Sequence, residues 1–421
     1  MRVLMLGWEF PPHISGGLGT ACFGLTRALV NRDVEVLFVL PSFRGERQES
    51  HVRLLAADEV PVPTGYFEGG IFFKGLDVRL VDAMLRPYMT GGEYESLFRR
   101  YAEKKEDRGY LELTGEYGTD LLSEVMRYAA ASSVLAATET FDVIHAHDWM
   151  SVFAAVQIRR ASGRPMVFHV HSLEYDRSGE SIDRQVYDIE RLGMEEADHV
   201  ISVSAYTKER MTARYGIDAG KITVVHNAVS RGEAAERYHV VKPVGEKTVL
   251  FLGRVTFQKG PEYFLAAAEK LIKAIPGIRF VMAGSGDLLP RLMERAETMG
   301  ISERFHFTGF LRGEEVERMY AASDLYVMPS VSEPFGISPL EALLYDVPVI
   351  ISKQSGVGEI LRHALKVDFW DVEELANKIH AVLAYGGLSA ELLERCREEM
   401  IEVTWENAAT RTLEVYRKVL R

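Results

Sequence analysis

Two carboxylates, Glu333 and Glu341, bracket the segment Ser332-Glu333-Pro334-Phe335-Gly336-Ile337-Ser338-Pro339-Leu340-Glu341-Ala342. Proline and glycine lie between them, and an apolar helix start follows. Such a segment aims backbone N–H groups and a helix N-terminus at an anion such as a phosphate. Glu341, about two helical turns beyond Glu333, is spaced to reach a hydroxyl-rich group such as a ribose. Two glutamates on a surface helix are more often solvated charges, so the weight of this reading comes from segments upstream.

Gly253-Arg254-Val255-Thr256-Phe257-Gln258-Lys259-Gly260 follows an apolar run, which puts Arg254 and Lys259 at the sheet edge where open α/β folds bind ligands. Two cations there suit a pyrophosphate whose charge must be stabilised as it departs. The bland alternative is a pair of solvated loop charges. Ser15-Gly16-Gly17-Leu18-Gly19 lies between the first apolar run and an apolar helix. Gly16 and Gly17 let backbone N–H groups approach an anion, although a tight turn alone would also use them. The pattern is neither G-x-G-x-x-G nor a P-loop. His145-Ala146-His147-Asp148 and His169-Val170-His171 close two further apolar runs. His-x-His pairs can bind a metal, but no further His-Asp cluster accompanies them and no metal is expected. The expectation is that alternate histidines face opposite sides of a strand, with one of each pair in the core. Asp148 and His171, at the loop ends, then become the ligand contacts. Asn227 closes the last strand of the first half and faces the cleft.

These residues need a scaffold, and the chain supplies βαβ grammar twice. Near-continuous apolar runs read as strands buried on both faces: Val3–Leu6, Val34–Leu40, Val143–Ala146, Met166–Val170, Val200–Val203 and Ile222–Val225. Helical patterns lie between them, among them Leu121–Thr138, Ser151–Arg160 and Gln185–Glu196. Residues 84–116, charged and aromatic, read as a partly helical insertion. Periodicity lapses over Ser230–Lys247, the best linker candidate. A second series follows: Thr248–Leu252, Arg279–Ala283, His306–Thr308, Leu325–Met328 and Val347–Ile351, with helices over Pro261–Lys273 and Leu288–Met299. Trp405–Leu420 is an amphipathic closing helix.

Length and composition set the frame. With 421 residues the chain should hold two or more domains. A net charge of −12 argues against non-specific binding to nucleic acid or to an anionic membrane. Cys22 and Cys396 are too few for a disulfide framework. No signal peptide or spanning segment is read, so a soluble, cytoplasmic protein is expected. Four asparagines and five glutamines are few enough to suggest a thermophilic source.

With these motifs in place, the chain resembles the GT-B glycosyltransferases, and among them the glycogen and starch synthases. The resemblance covers nearly the whole length. It rests on Gly16-Gly17-Leu18-Gly19, His147-Asp148-Trp149, Val170-His171-Ser172-Leu173, Gly253-Arg254 with Gln258-Lys259-Gly260, and Glu333-Pro334-Phe335-Gly336 with Glu341. It implies an α/β protein of two Rossmann-like, doubly wound parallel-sheet domains with a donor cleft between them. Residues 1–229 would form the acceptor-side domain and 230–404 the nucleotide-sugar domain, with 405–421 a helix crossing back to the first. The implied activity is that of a hexosyltransferase: glucose passes from ADP-glucose or UDP-glucose to the non-reducing end of an α-1,4-glucan, with retention of the anomeric configuration. Arg254 and Lys259 would hold the diphosphate in place of a metal, and Glu333 would bind the transferred glucose. Backbone N–H groups near Phe335, Gly336, Ile337 and Ser338 would meet the phosphates, and Glu341 the ribose. His171 would contact the sugar near the reacting carbon, with Asp148 ordering that side. Gly16, Gly17, Asn227 and Gln258 match further donor-contacting positions, and Phe310 would lie near the base.

Three departures stand out. Ile14 occupies a position where related bacterial enzymes carry lysine, with His13 beside it as a substitute cation; the usual Asn-Gly reads Asn227-Ala228. The loop Gln354-Ser355-Gly356-Val357-Gly358-Glu359 is also altered, though Gly356 and Glu359 still permit a phosphate-facing turn. The competing readings are a retaining GT-B enzyme with a small sugar, polyol or lipid acceptor, a nucleotide-sugar epimerase, and a non-catalytic carbohydrate-binding protein. The oligomeric state is left open.

Overall fold

The apolar runs assemble into two parallel sheets, as strands with no polar face must when helices cover both sides. The computed structural model describes residues 1–11, 16–42, 50–57, 72–73, 76–77, 121–230 and 245–421. Ile14, His13, the insertion at 84–116 and most of the linker lie outside them.

The first sheet contains β1 (Arg2–Leu6), β2 (Glu35–Leu40), β3 (Arg53–Ala56), β4 (Val143–His147), β5 (Met166–Val170), β6 (His199–Ser202) and β7 (Ile222–Val224). Its order is β3-β2-β1-β4-β5-β6-β7, all parallel. The second contains β8 (Lys247–Leu252), β9 (Ile278–Ala283), β10 (Phe305–Gly309), β11 (Leu325–Met328), β12 (Val349–Ser352) and β13 (Leu365–Val367). Its order is β10-β9-β8-β11-β12-β13, again all parallel. In each sheet the winding direction reverses beside the first strand, between β1 and β4 and between β8 and β11. Those two topological switch points are where an open α/β sheet leaves a crevice at its carboxyl edge. The structure is therefore two doubly wound, Rossmann-like domains.

Each sheet is packed on both faces. Helices Leu121–Thr138, Val152–Ser162 and Arg184–Glu196 cover one face of the first sheet, around Ile144, Phe153 and Phe168. The other face buries Val3, Met5 and Phe38 beneath the helix Gly17–Val30 and the last helix, Trp405–Val419. That last helix thus returns to the first domain, its Trp405, Ala409 and Tyr416 sharing a core with Cys22 and Leu25. A Cβ on Gly24 would lie 2.1 Å from the Trp405 ring, so the close approach of the two helices depends on glycine there. Among the described residues no helix is long and apolar enough to cross a membrane. Both cysteines are free and buried.

Candidate active site

At the first switch point the chain leaves β4 through Asp148, whose backbone adopts φ 56°, a left-handed conformation uncommon outside glycine. This turn directs the carboxylate across the sheet edge. Asp148 Oδ1 accepts the N–H groups of His171 (2.6 Å) and Ser172 (3.3 Å), and the Asp148 N–H donates to the His169 carbonyl (3.0 Å). Asp148 therefore staples the loop after β4 to the loop after β5 and fixes where His171 starts. Burial pushes its carboxyl up to about 7, against the stabilising pull of the two N–H bonds. Gly16, in extended backbone, caps the helix that Gly17 begins, and a Cβ on Gly17 would meet open space.

The four strand-end histidines lie otherwise than expected. Residues two apart on a strand share a face, so His145 stacks on His147 (centroids 4.4 Å apart) and His169 on His171 (4.2 Å). Bonds link the layers across the strands, His145 Nε2 to His169 Nδ1 at 3.2 Å and His147 Nδ1 to His171 Nε2 at 2.9 Å. Tyr416, on the last helix, meets His145 Nδ1 at 2.5 Å. The ring nitrogens of His145, His147 and His169 lie within 4.8 Å of one another. Stacked rings, however, direct their in-plane lone pairs side by side rather than at one point. Three of the rings are buried, and His171 is the one that reaches the cleft. Burial lowers His145 and His171 to about 3 and holds His147 and His169 well below the usual imidazole range, so the stack is neutral at pH 7.

At the second switch point the loops after β8 and β11 are joined by backbone. The Gln258 carbonyl accepts the Val331 N–H at 2.9 Å. Gly260 takes φ 64°, and a Cβ there would sit 2.1 Å from the Pro329 carbonyl oxygen, so only glycine allows the loops this close. The approach sets Lys259 Nζ 2.6 Å from Glu333 Oε2, which also accepts the Ser330 hydroxyl at 3.1 Å. Arg254 Nη2 donates to the buried Gln258 Oε1 at 3.2 Å while its side chain stays exposed. Arg254, Gln258, Lys259 and Glu333 thus form one cluster. Glu341, on the helix Ser338–Leu344, accepts the hydroxyl of buried Tyr320 at 3.0 Å, and burial raises its pKa.

Other expected contacts fall elsewhere. The Phe335 side chain is buried among Met328, Leu340 and Val357, leaving only its backbone for a ligand. Gly336 supplies the positive φ (101°) of that turn, and Ile337 packs against the cores of both domains. Phe310 is exposed just beyond β10, the edge strand two places from β8, with the Arg312 guanidinium over its ring. Asn227 is buried beyond β7. Glu359 does not face a phosphate turn. Its carboxylate accepts the N–H groups of Ala205 (2.9 Å) and Tyr206 (2.6 Å), at the start of the helix Ala205–Tyr215, and meets His226 Nε2 at 3.0 Å. The physical reason is the helix N-terminus, which offers free N–H groups to an anion. Burial opposes the charge, yet these bonds hold the Glu359 pKa below its usual value.

Contacts between the domains were not legible beforehand. Ser332 donates to Asp176 Oδ1 at 2.6 Å, and Arg210 pairs with the same oxygen at 2.9 Å. The Ser204 hydroxyl donates to the Pro334 carbonyl at 2.5 Å. These bonds flank Glu333 and pin its segment against the first domain. Arg177 lies below the His171 loop, bound to Glu174 (3.1 Å) and Glu190 (2.5 Å). The only sequence signal for this layer is the charged run Glu174-Tyr175-Asp176-Arg177 directly after the His171 loop.

Two doubly wound domains, with the Arg254–Lys259–Glu333 cluster at one switch point and the Asp148–His171 edge at the other, have the architecture of a GT-B glycosyltransferase. Residues 233–402 match the family model for glycosyl transferases group 1, and residues 98–232 match that for glycosyltransferase family 4. The chain belongs to the group 1 glycosyltransferases of GT-B fold. It is 27% identical over 435 residues to an uncharacterized glycosyltransferase of Methanocaldococcus jannaschii, covering 99% of this chain and 98% of that one. It is 28% identical over 431 residues to a glycogen synthase of Mycobacterium tuberculosis, covering 99% and 94%. Among solved structures, a sucrose-phosphate synthase from Thermosynechococcus elongatus superposes with a TM-score of 0.75 at 20% identity, over 99% of this chain and 98% of that one. At that identity the likeness speaks for the fold.

Proposed function

We propose that this enzyme is a glycogen synthase: it transfers glucose from ADP-glucose or UDP-glucose to the non-reducing end of an α-1,4-glucan and retains the anomeric configuration. The observation that carries the reading is the Lys259–Glu333 pair, seated at the second switch point and bound through Ser332 to the domain that presents His171. Full-length likeness to a glycogen synthase supports the choice of substrate.

In this reading Arg254 and Lys259 take up the charge that develops on the departing nucleoside diphosphate. Lys259 leaves Glu333 as the diphosphate arrives, and Glu333 then accepts a hydroxyl of the transferred glucose. Glu341, oriented by Tyr320, accepts from the ribose hydroxyls. His171 is neutral at pH 7, so it offers the sugar a hydrogen bond without a competing positive charge. The acceptor hydroxyl attacks on the face that the diphosphate leaves, which preserves configuration.

The test is incubation with glycogen and radiolabelled ADP-glucose or UDP-glucose, scored as label in ethanol-insoluble glucan that an α-1,4-specific exo-hydrolase releases. Incorporation from either donor is expected. Donor consumption without label in glucan would refute the choice of acceptor, and product analysis would then distinguish a small glucoside from an epimerised sugar.

A further inference from the structure

His147 closes β4 and His171 follows β5, and the pairing of these neighbouring strands sets His147 Nδ1 2.9 Å from His171 Nε2. The His147 ring is fully buried, stacked on His145 (centroids 4.4 Å apart) and lying against Phe38 (6.1 Å), and these contacts fix its plane. Asp148, the next residue, holds the backbone N–H of His171 at 2.6 Å. Two consecutive residues at the end of β4 therefore grip His171, one by its main chain and one by its ring.

Both imidazoles are neutral at pH 7, so the bond between them holds one proton, given by one ring and accepted by the other. The far nitrogen of His147 decides which ring gives it. His147 Nε2 is buried, and no group among the described residues lies within hydrogen-bonding distance of it. Were His171 the donor, His147 would carry its own proton on Nε2 and bury an N–H without an acceptor. With His147 donating from Nδ1, Nε2 keeps only an unused lone pair. The second arrangement costs less, just as orphaned backbone N–H groups are rarer in folded proteins than under-used carbonyls. His171 Nε2 then accepts, and the proton of His171 sits on Nδ1. His171 is the one ring of the stack that stays partly exposed, so this N–H is left for a ligand in the cleft.

We propose that His147 is a positioning residue for the transfer reaction: by donating from Nδ1 it orients the His171 ring and keeps it in the Nδ1–H form, so that His171 meets the sugar as a hydrogen-bond donor. This rests on the reading of His171 as the residue that contacts the transferred glucose. A sugar hydroxyl met in this way accepts through its oxygen and keeps its own proton for a carboxylate or carbonyl.

The experiment has two arms. Heteronuclear NMR of the full chain carrying isotope-labelled histidine shows which ring nitrogen bears each proton at pH 7, with His147→Asn and His171→Gln assigning the two signals. Both residues should show the proton on Nδ1, the opposite of the Nε2–H form that a free neutral imidazole favours. His171 protonated on Nε2 overturns the proposal. The second arm compares His147→Phe, which keeps a ring in the stack but cannot donate, with His147→Asn, which gives up the ring but places an amide N–H where Nδ1 stood. His147→Phe should lower kcat/KM for the nucleotide sugar roughly tenfold, His147→Asn should recover most of that loss, and both should bind ADP or UDP like the wild type. The reverse order, with His147→Phe near wild type and His147→Asn impaired, shows a residue that only packs and overturns the proposal. Turnover is scored as nucleoside diphosphate released, separately from label in glucan. Release without labelled glucan sinks the synthase reading while the order of the two variants still decides the role of His147. Should a variant fail to bind the nucleotide, or the wild type release none, the wild-type spectrum decides.

Discussion

The pairing of Lys259 with Glu333 gives an asymmetric mutational prediction. Glu333 is the more buried partner, with its side chain 7% exposed against 23% for Lys259. Removing the lysine leaves a desolvated carboxylate with the Ser330 hydroxyl bond and no counter-cation. Breaking a fully buried pair this way costs about 3–5 kcal/mol. Lys259 is partly solvated, so screening brings the expected loss for Lys259→Met to about 1–3 kcal/mol. Glu333→Gln leaves a lysine that water can reach and an amide oxygen that still accepts, for a loss of about 1 kcal/mol or less. The double variant buries neither charge and should be more stable than Lys259→Met alone, a coupling of about 1–2 kcal/mol. Urea unfolding at pH 7 measures all four proteins. Turnover separates stability from chemistry: each single variant should lose roughly a hundredfold or more, because each removes a preorganised charge contact. Additive destabilisation around the cycle would show that the pair is not coupled. Lys259→Met with near-normal donor turnover would refute the role proposed for it in neutralising the departing diphosphate.

The histidine stack predicts acid sensitivity. Each of the four stacked imidazoles has its folded pKa depressed, to about 3 for His145 and His171. Their contribution is complete above the unfolded value near 6.5 and is lost as pH falls toward the folded values. Asp148, raised to about 7, acts oppositely, since its folded form holds a proton that the unfolded form releases above about pH 4. Burial raises Asp176, Glu190 and Glu341 as well, while His51 and His199 are depressed along with the stack, so six imidazoles oppose four carboxyls; the urea midpoint should fall from pH 6.5 to pH 4, and an unchanged midpoint would count against the stack. Gly24→Ala should destabilise by about 1–3 kcal/mol in urea, because its Cβ meets the Trp405 ring at 2.1 Å. Glu359→Ala removes the acceptor for two helix-start N–H groups across the domain boundary. A larger radius of gyration in small-angle scattering is expected for that variant, and a curve identical to the wild type would argue against Glu359 as an interdomain tie.

Sequence periodicity revealed the central strands and two of the four edge strands, β7 and β10, and missed the other two. Arg53–Ala56 and Leu365–Val367 are short, partly exposed edge strands and carry Arg53 and Lys366, so neither presents the continuous apolar run by which β1, β4 and β8 are recognised. The histidines were visible as residues, but their arrangement was misjudged because a strand's period of two puts both members of a His-x-His pair on one face. The same period brings two adjacent strands to stack all four rings. Phe335 illustrates a different limit. A motif read in one dimension does not say which of its side chains turns inward, and the backbone bonds Phe335 into the second domain while Glu333, two residues earlier, faces the cleft.

What no local pattern carried is the link between the halves. Asp176 and Ser332 are 156 residues apart, and Ser204 and Pro334 are 130 apart, so neither contact leaves a periodic trace. In the proposed function these bonds help bring Glu333 and His171 to one ligand. The charged and glycine-rich segments mark what each domain brings to the site. Its assembly depends on side chains that read, in sequence, as ordinary polar residues on helix starts and turns. The ties that hold the Glu333 segment to the first domain include hydrogen bonds, with Asp176 and Ser332 both buried where they meet. Opening the domains would expose these groups to water, which offers comparable hydrogen bonds, so the net cost of opening per bond is about 0.5–1.5 kcal/mol. Bonds of that strength can be exchanged for water by thermal motion and re-formed when a ligand closes the cleft, which suits the proposed function, in which the cleft admits a nucleotide sugar and then excludes water from it.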